Sequence, residues 1–218
     1  MGIETLAIVV ALILSIVLHE MAHGYMANWL GDPTARLAGR LSANPLVHID
    51  PLGSVIVPAL LLLGPFNFIF GWAKPVPYNP YNLTDQKYGE AKVAVAGPGM
   101  NILIALIFSV LVRLAPTLGL NAVFVDLALA IVFLNLFLAL LNLIPIPPLD
   151  GSKILLAFLP YGMAMKYREF MNMTERYGLV FTFIFFFVFI SLLLQPFVFL
   201  VLLIYGLFTG ASYVPSLF

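Results

Sequence analysis

Long apolar segments alternate with short polar ones along the chain. The first apolar run extends from about residue 3 to 30 and stops at the sequence Gly-Asp-Pro at 31–33, a combination that ends helices. About 20 apolar residues suffice to cross a bilayer, so this run predicts a first membrane helix. It contains a cluster of ionisable residues, which is unusual for a membrane span.

Further membrane helices are predicted beyond residue 90. Two strong candidates lie at about 93–115 and 121–145, and the short link between them predicts a helical hairpin. The last apolar segment, 178–210, is long enough for one tilted span or for a tight pair broken at Gln195-Pro196. The pattern alone leaves both possibilities open.

An irregular region lies between the first two predicted spans. Residues 33–50 are polar and predict a loop, with a short membrane-associated β-hairpin around Gly39. Residues 52–72 are apolar but interrupted by prolines, and a proline-rich stretch follows at 71–80. Lipid does not tolerate exposed irregular backbone, so we predict a re-entrant segment here that does not cross the membrane.

The composition places the chain in a lipid bilayer. Hydrophobic residues make up 62% of the 218 residues, charged residues make up 9%, and the mean hydropathy is +1.07. A soluble surface needs more charge than this. We therefore predict an all-α polytopic membrane protein. The length suits a single membrane-embedded domain over 1–218, with its motifs within 1–155 and C-terminal helices over 156–218.

Charge and cysteine content exclude several kinds of partner and site. The net charge is zero and no long basic run is present, so we expect no nucleic-acid partner. The chain has no Cys, which excludes disulfides, thiolate nucleophiles and Cys-type zinc sites. Any metal ion must therefore bind nitrogen and oxygen. Glu4 stands where a secretory signal has basic residues, so we expect the first helix to be retained.

The ionisable cluster in the first predicted span has the spacing of a metal site. His19-Glu20-Met21-Ala22-His23 is an H-E-x-x-H motif, whose two His share one helix face. In such a site zinc activates a water molecule and the Glu is the general base. The motif also occurs by chance on soluble helices. In a membrane, however, each isolated charge costs at least about 2.5–3.5 kcal/mol, so an idle cluster would be expensive.

Two His ligands need a third protein ligand that leaves one position open for water and substrate. The candidate carboxylates are Asp32 and Asp50 in loops, Asp126 near the far end of the hairpin, and Asp150 after a proline-rich break. Residue type and position favour Asp150 only moderately, because an Asp there also suits the N-cap of a following helix.

A second motif makes the interpretation more specific. The segment 142–151, Asn-Leu-Ile-Pro-Ile-Pro-Pro-Leu-Asp-Gly, resembles the N-x-x-P-x-P-x-L-D-G signature of site-2 proteases, membrane enzymes that cut transmembrane segments. The stretches 71–77 (Gly-Trp-Ala-Lys-Pro-Val-Pro) and 97–101 (Gly-Pro-x-x-Asn) are also similar to that family at comparable positions. The likeness covers most of residues 15–155, and the combined motifs are far more specific than H-E-x-x-H alone.

The resemblance implies a site-2 protease-like helical core with one zinc ion held by His19, His23 and Asp150, and with Glu20 as the catalytic residue. It also implies an endopeptidase that cuts in or near transmembrane segments, as in regulated intramembrane proteolysis. The expected partners are a transmembrane protein substrate and membrane lipid, and the oligomeric state stays open. We expect a short form that lacks the PDZ or CBS module of some family members.

The depth of the first motif predicts the topology. His19 lies 11 residues before the end of the first helix, or about 16 Å at 1.5 Å per residue. Asp150 follows the 121–145 helix, so the two helices must run parallel, which requires that 52–72 not cross. Every Lys and Arg except Arg113 then lies on one face, which the positive-inside rule assigns to the cytoplasm. We expect a multi-pass protein of a prokaryotic cell membrane, with a site that opens toward the cytoplasm.

Other polar residues have two interpretations each. Asn101 and Asn142 suit hydrogen bonds between helices, or contacts to substrate and the developing oxyanion, as the resemblance implies for Asn142. His48 belongs to no motif and is interpreted as a loop histidine. A transmembrane substrate must unwind before cleavage, so we also expect irregular backbone within 36–80 to offer an edge for strand addition.

Other functions can use the same motif. Membrane proteases that trim prenylated proteins form a rival family with an H-E-x-x-H motif, in which a Glu of a downstream E-x-x-x-H motif is the third ligand. No His follows His48 here, so this chain lacks that second motif. A catalytically inactive scaffold or a metal transporter can hold an ion with the same histidines. A transporter should place polar residues in several spans, and a scaffold has no need for Glu20.

Overall fold

The structure, a computed structural model, describes residues 3–63 and 71–210. These residues form helices and loops, without a strand among them, which confirms the predicted all-α class. The helices are α1 (Ile3–Trp29), α2 (Thr34–Leu37), α3 (Val57–Leu63), α4 (Gly89–Leu118), α5 (Ala122–Asn142), α6 (Asp150–Phe158), α7 (Tyr161–Arg176), α8 (Gly178–Val188) and α9 (Leu194–Thr209). Pro45–His48 and Pro80–Asn82 form 3-10 turns, and Pro51–Ile56 and Phe189–Leu193 form π-helical turns.

Within the described ranges, four helical segments are long and apolar enough to cross a membrane: Thr5–Trp29, Gly89–Leu118, Ala122–Asn142 and Val180–Thr209. The last of these is continuous over 30 residues, so 178–210 contains one long helix, enough for one span, rather than a pair of helices. Pro196 has no N–H to donate, and the wide π turn shortly before it lets the helix continue.

Small residues bring the spans together. α4 and α5 form the predicted hairpin, while α1 packs on α4 and α9 packs on α5. Ala105 of α4, and Ala130 and Ala139 of α5, have no exposed surface, so helix backbones approach closely at these positions. The buried core between α4, α5 and α9 consists of Ala105, Leu129, Val132, Leu136, Val201 and Tyr205.

The segment between α1 and α4 returns to the place where it begins. Backbone hydrogen bonds join its two arms, from Trp72 N to Gly53 O (3.1 Å) and from Lys74 N to His48 O (2.8 Å). Two arms that pair side by side end at the same end of the helix bundle, as a re-entrant segment requires. Residues 64–70 of this segment lie outside the described part of the chain.

The short β-hairpin expected around Gly39 is wrong for the described residues. Thr34–Leu37 is helical, and Gly39 has a φ of 67°, so this stretch is a helical turn that ends in a left-handed glycine. The cause is local. The Asp32 carboxylate accepts hydrogen bonds from Thr34 N (3.2 Å) and Thr34 Oγ1 (2.5 Å), and such contacts favour a turn directly after α1.

The basic residues lie mainly at one end of the helix bundle. Arg113, near the end of α4, donates from Nε to Phe208 O and from Nη2 to Leu207 O, both at 2.6 Å. The C-terminal ends of α4 and α9 therefore lie together. The connections at the opposite end of the bundle, together with the first turn of α4, contain every Lys and Arg except Arg113.

Candidate metal centre

α1 and α6 bring three side chains to one point. His19 and His23, one turn apart on α1, have Nε2 atoms 3.1 Å apart. Oδ2 of Asp150, the first residue of α6, lies 3.2 Å from His19 Nε2 and 3.3 Å from His23 Nε2. Ligand atoms of a tetrahedral zinc site, with bonds of 2.0–2.1 Å, lie about 3.3–3.4 Å apart. The triangle therefore has the size that zinc requires, and the three predicted ligands meet.

Both imidazoles direct Nε2 at this point because their other nitrogens are bonded. His23 Nδ1 donates to Val93 O of α4 (2.7 Å), and His19 Nδ1 donates to Asn101 Oδ1 (2.5 Å). With the protons on Nδ1, both Nε2 atoms carry lone pairs that face the Asp150 carboxylate. Three acceptors directed at one point repel one another unless a cation lies between them. The donor set therefore fits a zinc ion.

Asp150 reaches the histidines because the chain folds back after α5. The turn over 143–149 ends at Leu149, which is the N-cap of α6, so the Asp150 carboxylate does not cap its own helix. Gly151 makes this turn feasible, since a Cβ there would lie 2.5 Å from Ile144 O. A larger residue would push Asp150 away from the histidines.

The other candidate carboxylates lie elsewhere in the described structure. Asp32 is buried after the end of α1, Asp50 caps the π turn, and Asp126 lies near the start of α5, at the end of that helix remote from Asp150. A metal ion at this point requires the Asp150 carboxylate in its ionised form.

Gly97 of α4 faces the same point. A Cβ at this position would lie 2.6 Å from His19 Nε2 and closer still to His23 Nε2. Any side chain there would fill the place of the ion. The Gly-Pro-x-x-Asn motif therefore contributes space through Gly97 and a hydrogen-bond acceptor through Asn101.

A cavity of about 700 Å³ lies beside the three ligands, and Glu20 is part of its wall. Glu20 Oε2 accepts a hydrogen bond from Val76 N (3.0 Å) in the stretch 71–79, here called the strap. This hydrogen bond keeps the Glu20 carboxylate in the cavity wall, apart from the three predicted ligands. A general base needs this kind of position, next to the site and open to substrate.

The two predicted asparagines have different surroundings. Asn101 has no exposed surface, and its Nδ2 donates to Asn135 Oδ1 (2.9 Å) behind His19. This position is at odds with a substrate contact and agrees with the interhelical interpretation. Asn142 lines the cavity, with its Nδ2 donating to Leu138 O (2.9 Å), so its predicted contact with substrate stays a prediction.

Two residues that can bear or share charge in the cavity wall were not identified from the sequence patterns. Lys153 and Tyr78 line the cavity, with Lys153 Nζ 5.1 Å from the centroid of the Tyr78 ring. Lys153 lies three residues after Asp150 on α6, and this helical spacing is the signal that could have found it. Tyr78 lacks such a signal because tertiary contacts position the strap.

Residues 118–187 match Peptidase family M50. The chain is 37% identical to YwhC of Bacillus subtilis over 179 residues, or 79% of this chain and 76% of YwhC. It is 32% identical to Rip2 of Mycolicibacterium smegmatis over 148 residues, or 64% of this chain and 52% of Rip2. It is 36% identical to MJ0611 of Methanocaldococcus jannaschii over 78 residues, or 36% of this chain and 38% of MJ0611. Each relative is named a "Putative zinc metalloprotease". No solved structure matches the chain.

The similarities agree with the geometry. The family match includes the signature at 142–151, which ends in the predicted ligand Asp150 and the glycine after it. The similarity to YwhC extends over more than three quarters of both chains. With a His-His-Asp group beside the four described helices that are long and apolar enough to cross a membrane, these similarities lead to one conclusion: the chain belongs to peptidase family M50, the site-2 protease family of zinc metalloproteases.

Proposed function

We propose that this chain is an intramembrane endopeptidase with one zinc ion, which cuts in or near transmembrane segments of membrane proteins, as in regulated intramembrane proteolysis. The proposal depends on the meeting of His19, His23 and Asp150 within 3.3 Å beside a cavity that contains Glu20. Three protein ligands leave one position for water or substrate, as in catalytic zinc sites. When bound, zinc supplies Lewis-acid activation of water and of the peptide carbonyl.

Glu20 and Asn142 have separate roles in this proposal. Glu20 takes a proton from the attacking water and returns it to the leaving amine, while the Val76 N–H keeps one carboxylate oxygen in place. The Asn142 amide gives one hydrogen to Leu138 O. Its second hydrogen is suited to the oxyanion that develops on the substrate.

The strap is suited to binding an unwound substrate. The N–H groups of Trp72, Lys74 and Val76, every second residue, all bond to the protein, as in an extended chain. On the other edge Pro75 and Pro77 have no N–H, so this edge offers mainly carbonyl acceptors. A substrate that adds as a strand would donate to these carbonyls and keep its own carbonyls for the site.

The surface and the charges support a multi-pass protein of a prokaryotic cell membrane, with 1–218 as one domain. Large apolar side chains such as Leu103, Phe187 and Leu192 are exposed on the spans, where lipid would cover them. Every Lys and Arg except Arg113 lies at the end of the bundle that contains α6. The positive-inside rule assigns that end, and the opening of the site, to the cytoplasm.

A catalytically inactive scaffold or a metal transporter is the alternative. Three further polar side chains of the spans, Ser15, Asn101 and Asn135, bond to one another and are not among the described residues that line the cavity. A transport route needs polar groups along a path across the membrane. This arrangement therefore supports the protease more than the transporter.

The test is cleavage of a model transmembrane substrate in liposomes by wild-type and Glu20→Gln protein, with bound zinc measured on the same samples. We expect the substitution to lower kcat by at least about 10²-fold, the contribution of a general base. Zinc content should stay the same because the three ligands are unchanged. A chelator should abolish wild-type cleavage, and added zinc should restore it.

Glu169→Gln is the matched control. Glu169 is exposed on α7 and is not part of the described cavity wall, so the variant should cleave at the wild-type rate. Equal cleavage by Glu20→Gln and wild type would contradict the assigned base. Zinc uptake without cleavage by the wild type would favour the scaffold or transporter.

A further inference from the structure

A line of buried polar side chains leads away from the metal centre through α1, α4 and α5. It begins at His19, whose Nδ1 meets Asn101 Oδ1. Asn101 Nδ2 donates to Asn135 Oδ1 (2.9 Å), and Asn135 Nδ2 donates to Ser15 Oγ (3.0 Å) and to Ile131 O (2.9 Å). Asn101 and Asn135 have no exposed surface. We call these contacts the amide relay.

Each hydrogen bond of the amide relay has a fixed donor and a fixed acceptor, and one group determines which is which. The O and N of an amide side chain can exchange places by a rotation, so neither asparagine fixes its own orientation. The backbone carbonyl of Ile131 can only accept, which forces Asn135 to turn Nδ2 toward it. Asn135 Oδ1 then faces Asn101, which must present Nδ2 and turn Oδ1 toward His19. His19 must therefore have its proton on Nδ1.

The two histidines carry the proton on the same nitrogen, Nδ1, but different partners hold it there. His23 Nδ1 bonds directly to the carbonyl of Val93, which cannot change roles. His19 bonds to an amide that can present either O or N, so its state depends on what holds the amide. A proton on Nδ1 leaves Nε2 with the lone pair that a metal ligand needs. A reversed amide would move the proton to Nε2 and remove His19 as a ligand.

We propose that Asn101 and Asn135 are positioning residues that transmit the orientation of the Ile131 carbonyl to His19 and thereby hold His19 as a metal ligand. The proposal rests on the metal site of the proposed function but is independent of proteolysis. It concerns which nitrogen of His19 carries the proton and how tightly zinc binds. Both can be measured in protein that does not cleave any substrate.

The wild-type protein tests the amide relay directly. The chain has three His residues, so 15N-histidine labelling of the zinc-loaded protein in detergent gives three imidazoles to assign. We expect the proton on Nδ1 in His19 and His23. We expect it on Nε2 in His48, whose Nε2 bonds to Ser42 O (2.9 Å). A proton on Nε2 of His19 would overturn the proposal, whether or not the protein is an active protease.

Zinc affinity, measured by competition with a chromophoric chelator, tests the two amides. We expect Asn101→Leu to weaken zinc binding about 10–100-fold, the usual cost of losing the partner of a metal-ligating His. Asn135→Leu should weaken it about 10-fold, because the Asn101 amide is then free to turn its Nδ2 toward His19. Ser15→Ala should stay within about threefold of wild type, since Asn135 keeps the Ile131 carbonyl.

A second pair of variants tests whether Asn135 acts by orienting the Asn101 amide or only by packing. The carboxylate made by Asn101→Asp only accepts, so it needs no guidance from Asn135. In the Asn101→Asp background we therefore expect Asn135→Leu not to weaken zinc binding, because the amide that it removes turns Oδ1 toward this carboxylate. An equal loss in both backgrounds would mean that Asn135 acts by packing, and would overturn the proposal. If Asn135→Leu does not fold, the wild-type spectrum still decides.

Ser109→Ala is the control for the loss of a buried polar group. Ser109 is 2% exposed on α4, and its Oγ donates to Leu106 O of the same helix (2.8 Å), away from the amide relay. We expect zinc affinity to equal that of wild type. A loss as large as that of Asn135→Leu would show that any buried polar substitution loosens the site, which contradicts a specific role for the amides.

Discussion

The membrane side and the loop side of the metal centre are held by different kinds of hydrogen bond. In the spans the helix N–H groups are mostly paired already, so the two histidines donate to oxygens: Val93 O for His23 and the side-chain Oδ1 of Asn101 for His19. On the loop side the backbone lacks helical partners, and carboxylates accept from its N–H groups. Both solutions satisfy buried polar groups, but they use different residue types.

Carboxylates organise the loop side, and three of them line the cavity or bond to the strap. Each accepts from one or more backbone N–H groups: Asp32 from Thr34 and Asn79, Asp50 from Leu52 and Gly53, and Glu20 from Val76. The spans thus orient the two histidines, while Glu20 and Asp32 position the strap. The difference teaches that zinc affinity and substrate handling should respond to separate sets of substitutions.

The largest effect on the membrane side is expected from Gly97→Ala. Its methyl group would occupy the place of the ion, so we expect zinc affinity to fall by more than about 100-fold, beyond the cost of losing a hydrogen-bond partner of a ligand. α4 should persist because Ala favours helix more than Gly. Gly99→Ala is the control, since a Cβ there meets no described atom within 4 Å. Tight zinc binding by Gly97→Ala would refute the location of the site.

On the loop side the largest effect is expected from Asp32→Ala. The carboxylate has no exposed surface and accepts from Thr34 N, Asn79 N (2.7 Å) and Asn82 Nδ2 (2.9 Å). Each buried donor left without an acceptor costs about 1–3 kcal/mol, so the midpoint of thermal unfolding in detergent should fall by several degrees. Zinc affinity of the folded protein should be retained. A loss of zinc affinity without a loss of stability would break the proposed separation.

Asp32 also predicts a pH dependence. Burial alone would raise its pKa, but the hydrogen bonds from Thr34, Asn82 and Asn79 hold the pKa below its ordinary value. Because the folded pKa is lower than the unfolded one, the stabilising contribution is complete above the unfolded value and is lost as the pH falls through the folded pKa. Below about pH 5, wild type should lose stability more steeply than Asp32→Ala. Parallel unfolding midpoints over that range would contradict this account.

A smaller effect is expected from Gly53→Ala. The indole of Trp72 lies so close to Gly53 that a Cβ would overlap it, so the substitution should displace the strap. We expect kcat/KM to fall about 10-fold, less than the 10²-fold that a 1 Å misplacement of reacting groups can cost, with zinc affinity unchanged. Gly162→Ala, where a Cβ meets no described atom within 4 Å, is the control. Weaker zinc binding by Gly53→Ala would show that the strap also affects the metal centre, which contradicts the proposed separation of the two sides.

The smallest effect is expected from Ser54→Ala. Ser54 Oγ donates to Trp72 O (2.8 Å) and accepts from Asp50 N (3.0 Å), but this pair of contacts is exposed to solvent. Each is worth about 1 kcal/mol or less, so cleavage should change less than with Gly53→Ala. A larger loss of cleavage than with Gly53→Ala would mean that Ser54, and not the fit of Trp72 on Gly53, holds the strap.

Much of the fold could be predicted because it depends on local patterns. Runs of about 20 apolar residues predicted the spans, and prolines within 52–72 predicted the re-entrant segment. The choice between one span and two over 178–210 could not be made, because it depends on whether a π turn accommodates Pro196. The expected hairpin around Gly39 failed because a side-chain contact from Asp32 favours a helical turn.

The candidate site was predictable to different degrees. His19 and His23 follow from a helical spacing, whereas Asp150 needed the resemblance to a family, since nothing local separates a ligand from an N-cap. The buried place of Asn101 behind His19 could not be read from the motif. An asparagine in a span looks the same whether it faces a cavity or a neighbouring helix.

By itself, the sequence determined that the protein lies in a membrane, which segments span it, and that α1 bears a metal motif. These properties depend on hydrophobicity and spacing, which act over neighbouring residues. Only the tertiary structure decided that Val76 meets Glu20, that Gly97 leaves room for an ion, and that Asn135 lies behind Asn101. Such contacts join residues far apart in the chain, and helix packing selects among many equally polar partners.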